Sequence, residues 1–345
     1  MSGLLPTFRL ARPRNVADAV AERHRHMNSR FIAGGTDLLA NMRHGLSDPE
    51  FLVDLSGVNE LTEMETSDRG LRLGAGVTIG ALSRNPSIAA TYRAVAQAAE
   101  AVAGPGHRTL GTVGGNLCLD TRCIFYNQSE WWRRSNSFCL KRHGDTCHVA
   151  PQGQRCVAAF TGDLAPALLA LGAEVEIAGM QGRRRVPLSD IYVEDGRAHL
   201  ALADDELIAS VYLPPAPPPS AYSKARVRGA IDYPLAGVAV ALEARSGLVE
   251  VLRIAVTGTN SRPFVLAGTN VVIGRPIDKN ALEEIEMLVQ KQVKPVRTTI
   301  APPHYRRLAA AGLARQLTAA LFEEQHAAAR PLCEQRLDPP EPSTR

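Results

Sequence analysis

Aromatic side chains are scarce in this sequence: they fill 5% of 345 positions, and only two are tryptophan. A stacking platform for single-stranded nucleic acid needs aromatics in series along a basic groove, so that class is disfavoured. Net charge is also low, +4 from 39 basic and 35 acidic residues. Neither nucleic acid nor a membrane surface is indicated by such a balance. No apolar run approaches the roughly 18 residues of a membrane-spanning helix. The opening "MSGLLPTFRLARPRN" has no apolar core of signal-peptide length. The expectation is a cytoplasmic protein, in which thiols stay reduced. The G-x-G-x-x-G dinucleotide fingerprint is missing, so a nicotinamide-binding fold is not supported. No nucleophile–His pairing, paired carboxylates or metal-bound-water motif marks a substrate site.

What the chain does have is order. Its length suggests two or three domains. Residues 1–57 alternate strand and helix. "TFRLARP" reads as a strand, and Asn15 caps a helix that puts Val16, Ala19, Val20 and Met27 on one face. "RFIAGG" and "FLVDLS" are further strands with a helix from about Asp37 between them, a pattern that implies parallel pairing. A second unit, 58–213, opens with the hairpin "LTEMET", "SDRG", "LRLGAG". It continues with one alanine-rich helix from Ser87 to Val102 that stops at "GPG". "LPPAPPPS", with five prolines in eight residues, is a stiff boundary. Beyond it, 220–330 form a third unit, a hairpin around "RSG" followed by helices. Residues 331–345 read as a loose polar tail.

Two glycine pairs stand between strand and helix patterns. "FIAGGTDLLA" places Gly34 and Gly35 before a helix start, where backbone can approach a ligand and free amides can face a phosphate. "LGTVGGNLC" repeats the device with Thr112, Gly114, Gly115 and Asn116. Two such loops suit a diphosphate gripped from both sides. "TGDLAPALLALG" adds Asp163 before a helix, where an isolated Asp is usually an N-cap.

In this order, "AGGTDL", "TVGGN" and "GDLAPAL" resemble the FAD-binding medium subunits of the molybdenum hydroxylases, the family of xanthine and carbon monoxide dehydrogenases. The resemblance spans about residues 5–330. It implies an α+β chain: a vanillyl-alcohol oxidase-like FAD-binding fold in two subdomains, then a C-terminal α/β domain like that of CO dehydrogenase flavoproteins. It implies that Ile32, Ala33, Gly34, Gly35, Thr36, Asp37 and Leu38, with Thr112, Gly114, Gly115 and Asn116, hold the FAD diphosphate. Asp163 would bond the adenosine ribose or a nearby part of the cofactor. Ile208 in "ELIASVYLP" and Lys224 in "AYSKARVRGAIDYPLAGVAV" match flavin-contact positions. A cation at Lys224 would stabilise anionic reduced flavin; the plainer alternative is a surface lysine. The resemblance further implies a large molybdenum-cofactor partner, a small 2Fe–2S partner, a dimer of heterotrimers, and an external carrier such as ferredoxin or NAD.

The stretch "LDTRCIFYNQSEWWRRSNSFCLKRHGDTCHVAPQGQRC" holds four of the six cysteines and both tryptophans. In most of the family the second glycine loop runs almost directly into the "DLAPAL" helix, so these cysteines ride on an insertion. Cys123, Cys139, Cys147 and Cys156 are 16, 8 and 9 positions apart. That is neither a zinc-ribbon nor a common ferredoxin spacing. Four thiolates can complete the ligand set of a 4Fe–4S cluster. The spacing resembles the insertion in flavin subunits of 4-hydroxybenzoyl-CoA reductases, which implies an electron-transfer subunit serving an aromatic acyl-CoA enzyme. Alternatives are a flavin subunit of aldehyde or xanthine dehydrogenase type, or a non-redox module stapled by zinc on these cysteines, with His143 or His148 in place of one. Cys118 and Cys333 are read as ordinary residues. Phe125, Tyr126, Trp131 and Trp132 would wrap the cluster or dock a partner.

Overall fold

A computed structural model describes residues 4–328; the tail expected at 331–345 and Cys333 lie outside them. Three sheets follow one another along the chain. In the first, Phe51–Asp54 lies between Arg9–Ala11 and Ser29–Ile32, and all pairs are parallel. Parallel neighbours need crossovers, here the helices Val16–Arg25 and Leu38–Arg43. Asn15 does cap the first helix, its side chain accepting the Asp18 N–H at 2.8 Å. Val16, Ala19 and Val20 are buried with Phe51 and Val53. Met27 is not on that face. The helix ends at Arg25, the chain leaves helical geometry at His26, and Met27 is 92% exposed.

The second sheet is antiparallel, in the order Met64–Ser67, Gly70–Gly74, Leu207–Leu213, Glu174–Gly179, Gly182–Pro187. The alanine-rich stretch forms two helices, Pro86–Thr91 and Arg93–Ala101, rather than one, and the second packs against strand Ser220–Ala225. The break is Tyr92, at φ −120° and ψ 53°. Its buried hydroxyl donates to the Pro214 carbonyl at 2.8 Å, so a polar tip that a continuous helix would strand in the core is satisfied. Helix Leu164–Ala170 is buried on every side, as an all-apolar segment must be. It packs between Arg93–Ala101 and the third sheet.

No strand residue falls between Leu213 and Ser220. The third sheet is antiparallel, in the order Phe264–Val265, Leu248–Thr257, Ala236–Arg245, Ser220–Ala225. Its central hairpin turns at Ser246 and Gly247, both at positive φ, the geometry that matches strand twist in a two-residue loop. Helices Lys279–Gln292 and Pro303–Ala328 close its apolar face.

This last unit buries an arginine. Arg306 has no exposed surface. Its Nε donates to Leu235 O at 3.1 Å; Nη1 donates to Val296 O at 2.7 Å and Thr298 Oγ1 at 3.1 Å; Nη2 donates to Gly258 O. Burial lowers its pKa to about 10, so it stays charged at neutral pH. The guanidinium fixes the 296–298 segment, whose Thr298 carbonyl accepts the Ile124 N–H of the cysteine loop at 2.9 Å. Arg306→Leu leaves several buried acceptors without donors and should cost about 3 kcal/mol or more in urea unfolding. Arg315→Leu removes only a half-exposed pair with Glu286 and should cost under about 1 kcal/mol. Equal losses would contradict the role given to Arg306.

Candidate functional site

The first glycine loop is built around one close approach. A Cβ on Gly34 would lie 1.9 Å from the carbonyl oxygen of Leu110 and 2.4 Å from its carbon. Gly34 is therefore required so that the two glycine loops can touch. The next residue, Gly35, turns the chain at φ 66°, and the helix Leu38–Arg43 follows. Among the described residues, the N–H groups of Gly34, Gly35, Thr36, Asp37 and Leu38 find no protein acceptor. Such a row of partly accessible amides suits an anion.

The second loop differs from the sequence expectation. Four of its amides are already paired: Val113 to Val77 O at 3.0 Å, Gly114 to Ala75 O at 2.7 Å, Gly115 to Thr112 Oγ1 at 3.1 Å and Asn116 to Thr112 O at 2.9 Å. Gly114 is needed for packing, since a Cβ there would meet the Ala75 Cβ at 2.9 Å. The loop supports the first one instead of mirroring it. Asn116 extends the support: its Oδ1 accepts the Leu164 N–H at 3.0 Å, tying the loop to the buried helix.

Asp163 begins that helix but does not cap it. Its carboxylate accepts the Tyr222 hydroxyl at 2.7 Å and the Lys224 ammonium at 2.9 Å. Both side chains of the ion pair are 5% exposed or less. Burial pushes the Asp163 carboxyl up, and the Lys224 charge and the two donors oppose it. Lys224 is thus not a surface lysine. It also donates to Asp232 O at 3.0 Å, so its charge is locally balanced. Ile208 is a core residue, paired in the ladder with Ile177.

The cysteine insertion is not peripheral. Cys123, Cys139, Cys147 and Cys156 are all buried and free of disulfides. All four line one cavity of about 10 Å³, with Phe125, Tyr126, Lys141 and His148 among its walls. Cys118 does not line it. Among the described residues no three His, Cys, Asp or Glu side chains form a group that could hold a metal ion. The ring of His148 is engaged with the Phe138 carbonyl. Ser137, Phe138 and His143, all non-glycine, adopt left-handed backbone around Cys139. Each such residue costs on the order of 1 kcal/mol and persists only where its surroundings impose it. Trp132 is half-buried beside Phe125, with ring centroids 6.1 Å apart, whereas Trp131 is 73% exposed.

Two arginines that sequence reasoning passed over dock the insertion. Arg122, next to Cys123, pairs with Asp37 of the first glycine loop and donates to Asn41 Oδ1 at 3.1 Å. Its guanidinium also lies 4.9 Å from the Tyr233 ring centroid. Arg133, 1% exposed, donates to Tyr126 O and Gln128 O within the insertion. It also reaches His44 O at 3.1 Å and Gly45 O at 3.0 Å, at the end of the helix that the glycine loop starts. In "WWRR" it reads as surface charge. The available signal for Arg122 was only its place beside a cysteine.

A loop of free amides, braced by a second glycine loop and a buried carboxylate–lysine pair, describes a nucleotide-cofactor subunit. Comparison with known proteins defines which. A family model described as the FAD binding domain in molybdopterin dehydrogenase matches residues 6–216, and one described as the CO dehydrogenase flavoprotein C-terminal domain matches 220–321. The chain belongs to the FAD-binding medium subunits of the molybdenum hydroxylase and xanthine dehydrogenase family. It is 31% identical to the nicotine 6-hydroxylase medium subunit of Paenarthrobacter nicotinovorans over 74% of this chain and 75% of that one. It is 33% identical to the aldehyde oxidoreductase FAD-binding subunit PaoB of Escherichia coli over 69% and 77%. A solved chain of the CO dehydrogenase from Oligotropha carboxidovorans superposes with a TM-score of 0.76 at 25% identity, covering 93% of this chain and 99% of that one. The protein is a FAD-dependent oxidoreductase subunit, and the free amide row fits a dinucleotide diphosphate.

Gly34→Ala should separate the two loops and lose most of the flavin absorbance of purified protein. In Gly115→Ala the new Cβ meets only Thr112 Oγ1, at 3.0 Å. It should retain most of its flavin. Full FAD content in Gly34→Ala would contradict the role of that contact.

Proposed function

We propose that this chain is the electron-transfer subunit of a heteromeric molybdenum hydroxylase-type enzyme, carrying FAD and a 4Fe–4S cluster. The carrying observation is that four buried, unbridged cysteines of one insertion line one cavity. The donor set fits, since iron–sulfur clusters take cysteine thiolates. The cluster reading rests on this loop and not on the relatives. In the proposal, residues Ile32–Leu38 hold the FAD diphosphate and Thr112–Asn116 brace them. The Asp163–Lys224 pair and Ile208 contribute to the cofactor's surroundings. FAD supplies two-electron chemistry that can be divided into single-electron transfers. The protein's part is to orient the flavin, exclude water and hold the insertion against it.

Substrate chemistry is assigned to a large molybdenum-cofactor partner, linked through a small 2Fe–2S chain, with the assembly a dimer of such trimers. Ferredoxin or NAD would serve as external carrier. The cysteine spacing supports an aromatic acyl-CoA such as 4-hydroxybenzoyl-CoA as the partner's substrate. A second reading, an aldehyde oxidoreductase, is favoured by the 33% identity to the flavin subunit of one. Among the described residues no helix is long and apolar enough to cross a membrane.

Anaerobically purified protein should contain about four irons and four sulfides per chain. Serine at position 123, 139, 147 or 156 should reduce both sharply while FAD largely survives; Cys118→Ser should reduce neither. Stoichiometric zinc without iron from iron-replete cells would overturn the cluster reading and leave a structural staple. Co-expression with neighbouring chains should yield a complex on sizing chromatography. The exposed Trp131 is a candidate contact, and Trp131→Ala should weaken that complex. A monomer that ignores its partners would contradict the assembly.

A further inference from the structure

Among the described residues, Lys141 is the only lysine or arginine that lines the cysteine cavity. Its side chain is 6% exposed. Three acceptors take its three protons: Asp120 Oδ1 at 2.6 Å, Thr121 O at 3.1 Å, and Thr121 Oγ1. The ammonium lies 4.3 Å from the Tyr126 ring centroid, and that ring is itself a cavity wall. No proton of Lys141 points to a sulfur, so any influence on the cysteines acts through charge.

The counter-charge is placed asymmetrically. Asp120 does not line the cavity, and its side chain is 28% exposed. Water screens it more than it screens the buried ammonium, so the field at the cavity keeps the sign of the lysine. The other nearby arginines do not line the cavity and are engaged elsewhere: Arg122 pairs with Asp37, Arg142 with Asp48, and Arg133 with backbone carbonyls. Fixing a buried lysine by three hydrogen bonds is costly to assemble and adds little to stability that an apolar residue would not, so its place on the wall calls for a reason.

We infer that Lys141 is the charge-compensating residue of the cysteine cavity, there to make a bound redox centre easier to reduce. The inference rests on the iron–sulfur reading above. If such a centre took one electron from reduced flavin or the external carrier, no bond would form or break and the charge of the centre would fall by one unit. The buried cation offsets that added negative charge, while the rim position of Asp120 keeps the offset from being cancelled.

The test is a potentiometric titration of the anaerobically purified full chain, followed by the electron paramagnetic resonance signal of the reduced centre. At the wild-type midpoint, Lys141→Met should lower the ratio of reduced to oxidised centre by roughly tenfold or more, the scale of one partly screened charge at close range. Asp120→Asn removes the counter-charge and should raise the same ratio. A Lys141→Met protein with intact iron content and an unmoved midpoint overturns the inference alone. If Lys141→Met holds no centre, Asp120→Asn decides: an unchanged or lowered ratio overturns it. Wild-type protein without iron overturns the reading beneath it instead, so the two failures are distinct.

Discussion

The site depends on a backbone contact with no room for a side chain, Gly34 against the Leu110 carbonyl. It joins the first sheet to a loop of the second unit, and so decides where the free amides of Gly34 to Leu38 point. The second loop spans from there to the core. Asn116 bonds to the start of the buried helix, and Asp163 at that start bonds to Tyr222 and Lys224 of the third sheet. The three sheets, which already share apolar cores in pairs, are thus also linked here by polar contacts, each made by a residue in or beside a glycine motif.

The cysteine insertion uses the same junction. Asp37 contributes its amide to the free row and its carboxylate to Arg122, the residue before Cys123. Arg133 holds the far end of the helix that begins at that row, and Thr298 closes from the third unit. The cysteine insertion and the glycine loop are therefore anchored to the same helix. This arrangement gives the two candidate redox sites a common rigid support, which short-range electron transfer between them requires.

Much of this was legible in the sequence, and the limits are physical. Parallel pairing in residues 1–57 followed from strand–helix spacing, and Asn15 was readable as a cap because capping is local. The hairpin around "RSG" was equally local. Met27 and the unbroken helix through Tyr92 were misread because tertiary contacts, not periodicity, ended those helices. The glycine motifs were visible, but their division of labour was not: Gly34 and Gly114 serve packing partners far away in sequence. Asp163 reads as a cap and is instead half of a buried ion pair whose partner is in another sheet. Arg122, Arg133 and Lys141 looked like solvated charge in a basic loop, since burial of a charged residue depends on acceptors that only folding assembles.

The central claim, that the cysteine cavity is built for a multinuclear redox centre beside a flavin, is tested most directly by X-ray absorption at the iron and zinc edges on the anaerobically purified full chain. The account predicts an iron edge whose first shell is sulfur alone and whose second shell contains iron. A zinc edge with a single shell of sulfur, or an iron site with light-atom ligands and no iron neighbour, would contradict it.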